Sequence, residues 1–198
     1  MAVLTQLEAI NAMLASLGMT ALTANDSAHP RYVQALAKLT EVDRELQSQG
    51  WWFNKTVVTL LQDVGGEVPF SSDVIHCDPT DVNKLYVMRE LKLYDLVNAT
   101  FTIDADVEVN IVYQLPFVEL PPLAKIHLKD RARHDFYVDQ DGSEPKLSNY
   151  AKLAAMSWVK FKQEHNKNQD TNFFVGGHGM WFRQSYHPNN INRVVARQ

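Results

Sequence analysis

Two histidines and an aspartate in the segment 127–134 have spacings that could bind a metal ion. His127, Asp130 and His134 are separated by three and four residues, so a helix would present them on one face. A carboxylate and two imidazoles in that arrangement could ligate zinc. However, the sequence has no His-Glu-x-x-His motif, and three basic residues lie among these side chains. We therefore interpret them as a solvated charged face and predict no metal site.

Two further segments carry glycines in patterns that suggest ligand binding. Asp139-Gln140-Asp141-Gly142 is similar to part of a calcium loop, but alignment on Gly142 puts Tyr137 and Ser148 where ligands of the loop are required. Gly176-Gly177-His178-Gly179 lacks the Lys-Ser/Thr pair, the preceding strand and the following helix of a phosphate-binding loop. We predict that neither segment is a ligand site and that the chain uses no cofactor.

His76-Cys77-Asp78 brings together the three residue types of a nucleophilic site. Adjacent side chains of an extended segment point to opposite faces, so His76 is badly placed to activate Cys77. Asp and Glu residues are abundant, and a pair of them could hydrolyse a glycosidic bond, but no particular pair stands out. We predict no catalytic residues, and we keep open the alternative of a glycoside hydrolase that uses Asp or Glu.

Five aromatic residues and three arginines occur in the segment 168–198, which has no clear helical or strand period. Aromatic side chains with arginines and few acids are typical of protein interfaces, and the same mixture suits base stacking and phosphate contacts. A frayed tail is the remaining alternative. We predict an extended C-terminal arm that binds a partner protein through Phe173, Phe174, Trp181, Phe182, Arg183, Tyr186, Arg193 and Arg197.

Charge is distributed unevenly along the 198 residues, whose formal net charge is −4. Residues 63–108 carry ten acids and three bases, a net −7, while residues 146–198 carry eight bases and two acids, a net +6. The acidic total argues against a uniformly basic DNA-binding protein, and the 45% apolar content argues against a disordered chain. Such an asymmetry in charge indicates surfaces that bind partners.

The compartment can be predicted from simple features of the chain. The N-terminal segment has no basic start, and no apolar run approaches the roughly 18 residues that span a bilayer, so we expect neither a signal peptide nor a membrane partner. A single cysteine cannot form an internal disulfide, which fits synthesis in a reducing cytoplasm.

Hydrophobic spacing predicts four helices. Apolar residues recur every three or four positions over 3–17, and Asn25-Asp26-Ser27 can cap a second helix over about 28–49. A third helix is predicted to open at Pro121-Pro122, where proline is tolerated, and a fourth to follow Ser143 as its N-cap.

Between residues 52 and 115 the residue pattern changes to one that is typical of antiparallel strands. Apolar and polar residues alternate, notably over 57–62 and 107–114, and turn-forming clusters separate five or six predicted strands. The three aromatics at positions 51–53 lie at the junction of helices and strands, where they would fill the seam, and we interpret them as core packing. We predict an α+β fold: a discontinuous four-helix bundle (1–50 and 117–167), an inserted antiparallel β-sandwich-like domain (51–116) and the C-terminal arm (168–198).

Several stretches, taken in order, resemble the tail tubular protein A family of short-tailed bacteriophages. The most specific is the Gln-Ser-x-Gly-Trp-x-Phe-Asn sequence of residues 47–54, at the predicted junction between helix and strand. The likeness covers about residues 5–170, and the arm beyond about residue 175 has no counterpart that we can match. The other matching stretches are residues 11–18, 59–63, 85–89, 93–95 and 109–112.

The resemblance implies a structural protein of the virion. Members of the family combine a helical bundle with a β-sandwich and form a dodecameric ring, an adaptor between the portal protein and the tail nozzle. The ring surrounds the channel through which genomic DNA is retained and ejected, and it helps to present the tail fibres. We therefore expect a tail adaptor assembled in the host cytoplasm, with glycan hydrolysis by the same tail component as the alternative.

Overall fold

The computed structural model describes residues 4–26, 28–140 and 142–169, and the predicted arm residues between 173 and 197 lie outside this range. The chain divides into two units, Met1–Phe161 and Lys162–Gln198. Helices and antiparallel sheets are both present, which confirms the predicted α+β class. In chain order the elements are α1 (Gln6–Ser16), α2 (Pro30–Gln47), β1 (Lys55–Leu60), β2 (Val74–Pro79), β3 (Tyr86–Arg89), β4 (Lys92–Asp95), β5 (Val107–Tyr113), a 3-10 turn (Phe117–Glu119), α3 (Pro122–Asp139) and α4 (Glu144–Asn168).

The starts of α1 and α2 are fixed by different chemistry. Thr5 and Glu8 form a reciprocal capping box, in which the Glu8 N–H donates to Thr5 Oγ1 and the Thr5 N–H donates to Glu8 Oε2. For α2 the predicted cap at 25–27 is wrong, because His29 Nδ1 accepts from the Tyr32 N–H at 3.2 Å. Pro30 then opens the helix with its restricted φ, so the start falls two residues later than predicted.

The helical core is built mainly from α1, α2 and α3, since α3 contacts both of the others. Helix α4 buries less of its surface than the shorter α3. Two described residues of α4, Ser157 and Phe161, are buried, whereas eight residues of α3 are buried. The four-helix bundle therefore remains a prediction. The buried apolar residues of this core include Ile10, Met13, Leu14, Leu39, Leu46, Trp51, Leu128, Phe136 and Phe161.

A second apolar core lies against a three-stranded antiparallel sheet of order β1-β5-β2. The central strand alternates as predicted, because Val107, Val109 and Ile111 are buried while Glu108 is exposed. β3 and β4 form a separate hairpin, and Leu93 of that hairpin is buried in the same core. The described residues thus contain five strands in two sheets, and the sandwich-like arrangement stays a prediction.

No helix in the described part of the chain combines the length and the apolar character needed to cross a membrane.

Candidate functional site

The chain passes between helices and sheet twice, and Asn54 ties the two crossings together. Its side chain is only 3% exposed. The Trp51 N–H donates to Asn54 Oδ1 at 2.7 Å, and Asn54 Nδ2 donates to the carbonyls of Gln47 and Tyr113, each at 2.9 Å. Gln47 ends α2 and Tyr113 ends β5, so one amide holds the outgoing and the returning chain at a fixed separation.

Gln47 makes a second link between the same two segments. Its fully buried side chain accepts from the Leu115 N–H at 2.8 Å and donates to the Leu115 carbonyl at 2.9 Å. Gln47 Nε2 also donates to Asp43, whose other oxygen accepts from Gln114 at 3.0 Å. Burial raises the pKa of Asp43, while the hydrogen bonds from the two glutamines oppose that rise. We call the set Asp43, Gln47, Asn54 and Gln114 the junction network.

The aromatic residues of the junction pack into the helical core rather than between the two cores. Trp51 is buried there, its indole N–H donates to the Leu46 carbonyl at 2.6 Å, and its ring lies 4.5 Å from that of Phe161. Trp52 and Phe53 are partly buried against the same core. The rings therefore pack in a core, as predicted, and it is the helical core, where α4 supplies Phe161 as their partner.

His127 and Asp130 are buried, so the predicted solvated face is wrong at these two positions. His127 Nδ1 lies 3.2 Å from Ser157 Oγ of α4, and its ring lies 5.0 Å from that of Trp158. Asp130 pairs with Lys129 at 3.2 Å, and His134 bonds to the neighbouring Asp135 instead of facing the other two. Helix α4 covers this face of α3, which is a tertiary contact that residue spacing does not report. Among the described residues no group of three His, Cys, Asp or Glu side chains could hold a metal ion.

Acidification should destabilise the fold through His127. Burial lowers its pKa to about 4, from an ordinary value of 6.5. Well above pH 6.5 the side chain is neutral in both the folded and the unfolded chain; as the pH falls towards 4 the unfolded chain binds a proton that the folded chain excludes. We expect His127 to account for a loss of up to about 3 kcal/mol in the free energy of unfolding between pH 6.5 and 4.

Urea unfolding at several pH values measures this loss in the wild type and in His127→Gln. Below pH 6.5 the free energy of unfolding of His127→Gln should fall less steeply than that of the wild type, because glutamine does not titrate. His76→Gln, which changes an exposed histidine of β2, serves as the control and should follow the wild-type curve. If the free energy of unfolding fell equally steeply with pH in His127→Gln and in the wild type, His127 would not be the cause of the acid destabilisation.

The His76-Cys77-Asp78 segment lies in β2, and its side chains alternate as predicted. Cys77 is buried while His76 and Asp78 are exposed, so the histidine and the thiol lie on opposite faces. Burial raises the pKa of Cys77 to about 11, with a smaller contribution from Asp78. The thiol is therefore protonated at neutral pH and is not an activated nucleophile.

The glycine turn before α4 has a structural role in the described residues. The Gly142 N–H donates to the Tyr137 carbonyl at 3.1 Å, and a Cβ at Gly142 would lie 2.2 Å from the Tyr137 ring. The ring hydroxyl also accepts from the Ser143 N–H at 3.0 Å. A close approach of ring and backbone explains the glycine without a calcium ion. Asp141 and the glycines of 176–179 lie outside the described residues.

A cleft of about 660 Å³ lies beside the junction network, between the start of α1, the middle of α2 and the returning chain at 114–118. Lys125 lines it with a side chain that is 2% exposed, and its Nζ donates to the Val118 carbonyl at 2.8 Å. Sequence reasoning missed this buried lysine. Its position three residues before the buried Leu128, on the apolar face of α3, was the available signal.

The acidic residues of 63–108 mostly lie at the surface, as a region that binds partners requires. Glu67 pairs with Lys92, and Asp95 is buried, where it accepts from the N–H groups of Val97 and Asn98. The exposed acids are Asp63, Asp73, Asp78, Asp81, Glu90, Asp104, Asp106 and Glu108. The eight predicted partner-binding residues of the arm lie outside the described residues.

Comparison with known proteins matches nearly the whole described chain. The family model described as tail tubular protein matches residues 7–173, a range that contains both crossings of the junction. The chain is also similar to tail tubular protein A of Klebsiella phage KP34, with 29% identity over 166 residues. That alignment covers 83% of this chain and 88% of the phage KP34 protein.

Proposed function

This chain belongs to the tail tubular protein family, and from that premise we propose that it forms a ring adaptor between the portal and the tail nozzle. Membership makes the chain a structural component of the bacteriophage tail and places it in the virion. The observation that carries the proposal is the match over residues 7–173, which includes the helical core, the sheet and the junction between them.

The distribution of charge supports a ring. Subunits of a ring meet head to tail, so each must present two different and complementary surfaces. This chain has an acidic β region, net −7 over 63–108, and a basic C-terminal part, net +6 over 146–198. Opposite charges on separate surfaces favour contact between unlike faces and disfavour contact between like ones.

The junction network supports a role in which the helices and the sheet must keep a fixed relative position. Asn54 and Gln47 join the two crossings through buried hydrogen bonds, so bending at either linker would expose or break them. An adaptor that contacts the portal on one side and the nozzle on the other needs such a rigid connection. The proposed channel passes genomic DNA without binding it, because exposed carboxylates repel phosphates.

We further propose that the C-terminal arm provides contacts to the portal, the nozzle or the fibres. Its aromatic residues and arginines have the composition of interface anchors.

Electron microscopy of the purified protein mixed with its portal tests the proposal. We expect a ring of density with twelvefold symmetry on the face of the portal that receives the tail, absent from the portal alone. The isolated protein can be monomeric in this experiment, because the portal supplies the template. A portal that stays bare at saturating concentrations of the protein would contradict the adaptor function.

A further inference from the structure

Helix α4 presents an apolar strip that the described chain leaves uncovered. Met156 is 58% exposed and Val159 is 53% exposed, and Ala155, one turn before Val159, is exposed as well. The buried residues Ser157 and Phe161 lie on the other side of the helix, against the helical core. A long helix that buries one edge and exposes apolar side chains on another is typical of a surface that contacts a partner.

Lysines border this strip. Lys152 and Lys160 lie four residues before and after Met156, so the three side chains follow one row along the helix. Both lysines are exposed, and no acid occurs between residues 145 and 163. We call Lys152, Ala155, Met156, Val159 and Lys160 the α4 strip. Its partner should be apolar at the centre and acidic at the border.

The β region has a patch of that description. The Leu96 N–H donates to the Leu85 carbonyl at 2.9 Å, which brings the segments before β3 and after β4 together. Leu85 and Leu96 are exposed there, and beside them in sequence Val82 and Val97 are exposed to 88% and 69%. Four large apolar side chains therefore reach solvent at one end of the β region.

Carboxylates accompany these apolar residues. Tyr86 and Lys84 line a small cavity with Asp95 and Asp104, and the Asp81 carbonyl accepts from the Lys84 N–H at 3.1 Å. Asp81 directly precedes Val82, and the carboxylates of Asp81 and Asp104 are both exposed. We call Asp81, Val82, Leu85, Leu96, Val97 and Asp104 the β patch.

We propose that the α4 strip of one copy of this chain binds the β patch of a second copy, an inference that rests on the proposed ring. Lysines then face carboxylates while the apolar centres bury one another. Pairing of two α4 strips would bring lysines together and is disfavoured. Because strip and patch differ, two copies joined by one contact still leave one strip and one patch free, which is the condition for a ring rather than a closed dimer.

Charge reversal tests the electrostatic part of this contact. Lys152→Glu with Lys160→Glu should abolish rings on the portal, because glutamates would face Asp81 and Asp104. Adding Asp81→Lys and Asp104→Lys to the same chain should restore them. A reversed strip that still forms rings, or a fourfold variant that stays unassembled while remaining folded by circular dichroism, would overturn the proposal.

Disulfide trapping tests the contact directly, with Met156→Cys and Val97→Cys as the probes. On the portal, a chain that carries both cysteines should give a ladder of oligomers under oxidation, and a mixture of the two single variants should stop at dimers. Native Cys77 is 5% exposed and gives little background. The control replaces Met156→Cys by Val33→Cys, since Val33 is 47% exposed on α2.

The outcomes separate this inference from the proposed function. A ladder from the Met156/Val97 pair but not from the Val33 control supports the contact. Rings on the portal without that ladder would overturn the contact and leave the adaptor function intact. Dimers from Met156→Cys alone would instead show that α4 strips pair with each other. A bare portal would overturn the adaptor function, and trapping of the concentrated free chain then decides the contact separately.

Discussion

Replacing Asn54 by alanine is expected to lower the free energy of unfolding by about 2–4 kcal/mol, because a buried polar group left without its partner costs about 1–3 kcal/mol and the Gln47 carbonyl still accepts from the Gly50 N–H. The change removes the acceptor of the Trp51 N–H and the donor to the carbonyls of Gln47 and Tyr113. All three groups belong to the crossings between helices and sheet. Urea unfolding monitored by circular dichroism and by tryptophan fluorescence measures the loss.

Asn54→Asp separates hydrogen bonding from packing. The side chain keeps its shape and the acceptor for Trp51, but an oxygen replaces the amide that donates to two carbonyls. We therefore expect Asn54→Asp to be about as destabilising as Asn54→Ala at neutral pH. Asn83→Ala, at an exposed turn, is the matched control and should change stability by less than about 0.5 kcal/mol. A mild effect of Asn54→Asp would show that the hydrogen bonds donated to the two carbonyls contribute little to stability.

The junction network gives a physical reason for the most specific stretch of the sequence. Gln47 and Asn54 are needed as amides because each must accept and donate at once. Gly50 has φ +71°, and a Cβ there would lie 3.1 Å from Val112 Cγ2, so a larger residue is strained and crowded. Trp51 anchors the segment in the helical core. A stretch that resembled a family signature thus has a structural task at each of these positions.

Periodicity predicted the elements well because their own residues determine them. The alternation in 107–114 corresponds to β5, the leucine spacing near the N-terminus to α1, and Pro122 to the start of α3. The opposed faces of His76 and Cys77 followed from strand geometry alone. These features depend on near neighbours in the chain, and no knowledge of the rest of the fold is required.

Contacts between distant segments could not be read from the sequence. His127 has the same spacing from Asp130 whether or not α4 covers it, so local charge suggested a solvated face. Trp51 could have packed on either core until Phe161 was placed beside it. For the same reason no pair of exposed carboxylates in the β region could be singled out for glycan hydrolysis, since separation is set by the fold.

Removal of residues 170–198 is expected to abolish docking to the assembled portal and nozzle while leaving the rest of the chain folded. The cut falls after α4, so both apolar cores and the junction network stay complete. The deletion removes all eight proposed contact residues, including Trp181 and three arginines. Interface anchors of this type each contribute about 2 kcal/mol or more, so the loss of several should reduce binding below detection.

Co-sedimentation with portal–tail particles measures docking of the truncated chain, and an unchanged unfolding midpoint shows that it is folded. The matched variant keeps the full arm but carries Arg183→Glu, Arg193→Glu and Arg197→Glu. If the arm binds through charge, the triple variant should fail as completely as the deletion; if the aromatic residues anchor it, the triple variant should dock more weakly yet measurably. Docking of the truncated chain at wild-type level would remove the arm from the interface and leave binding to surfaces within residues 4–169.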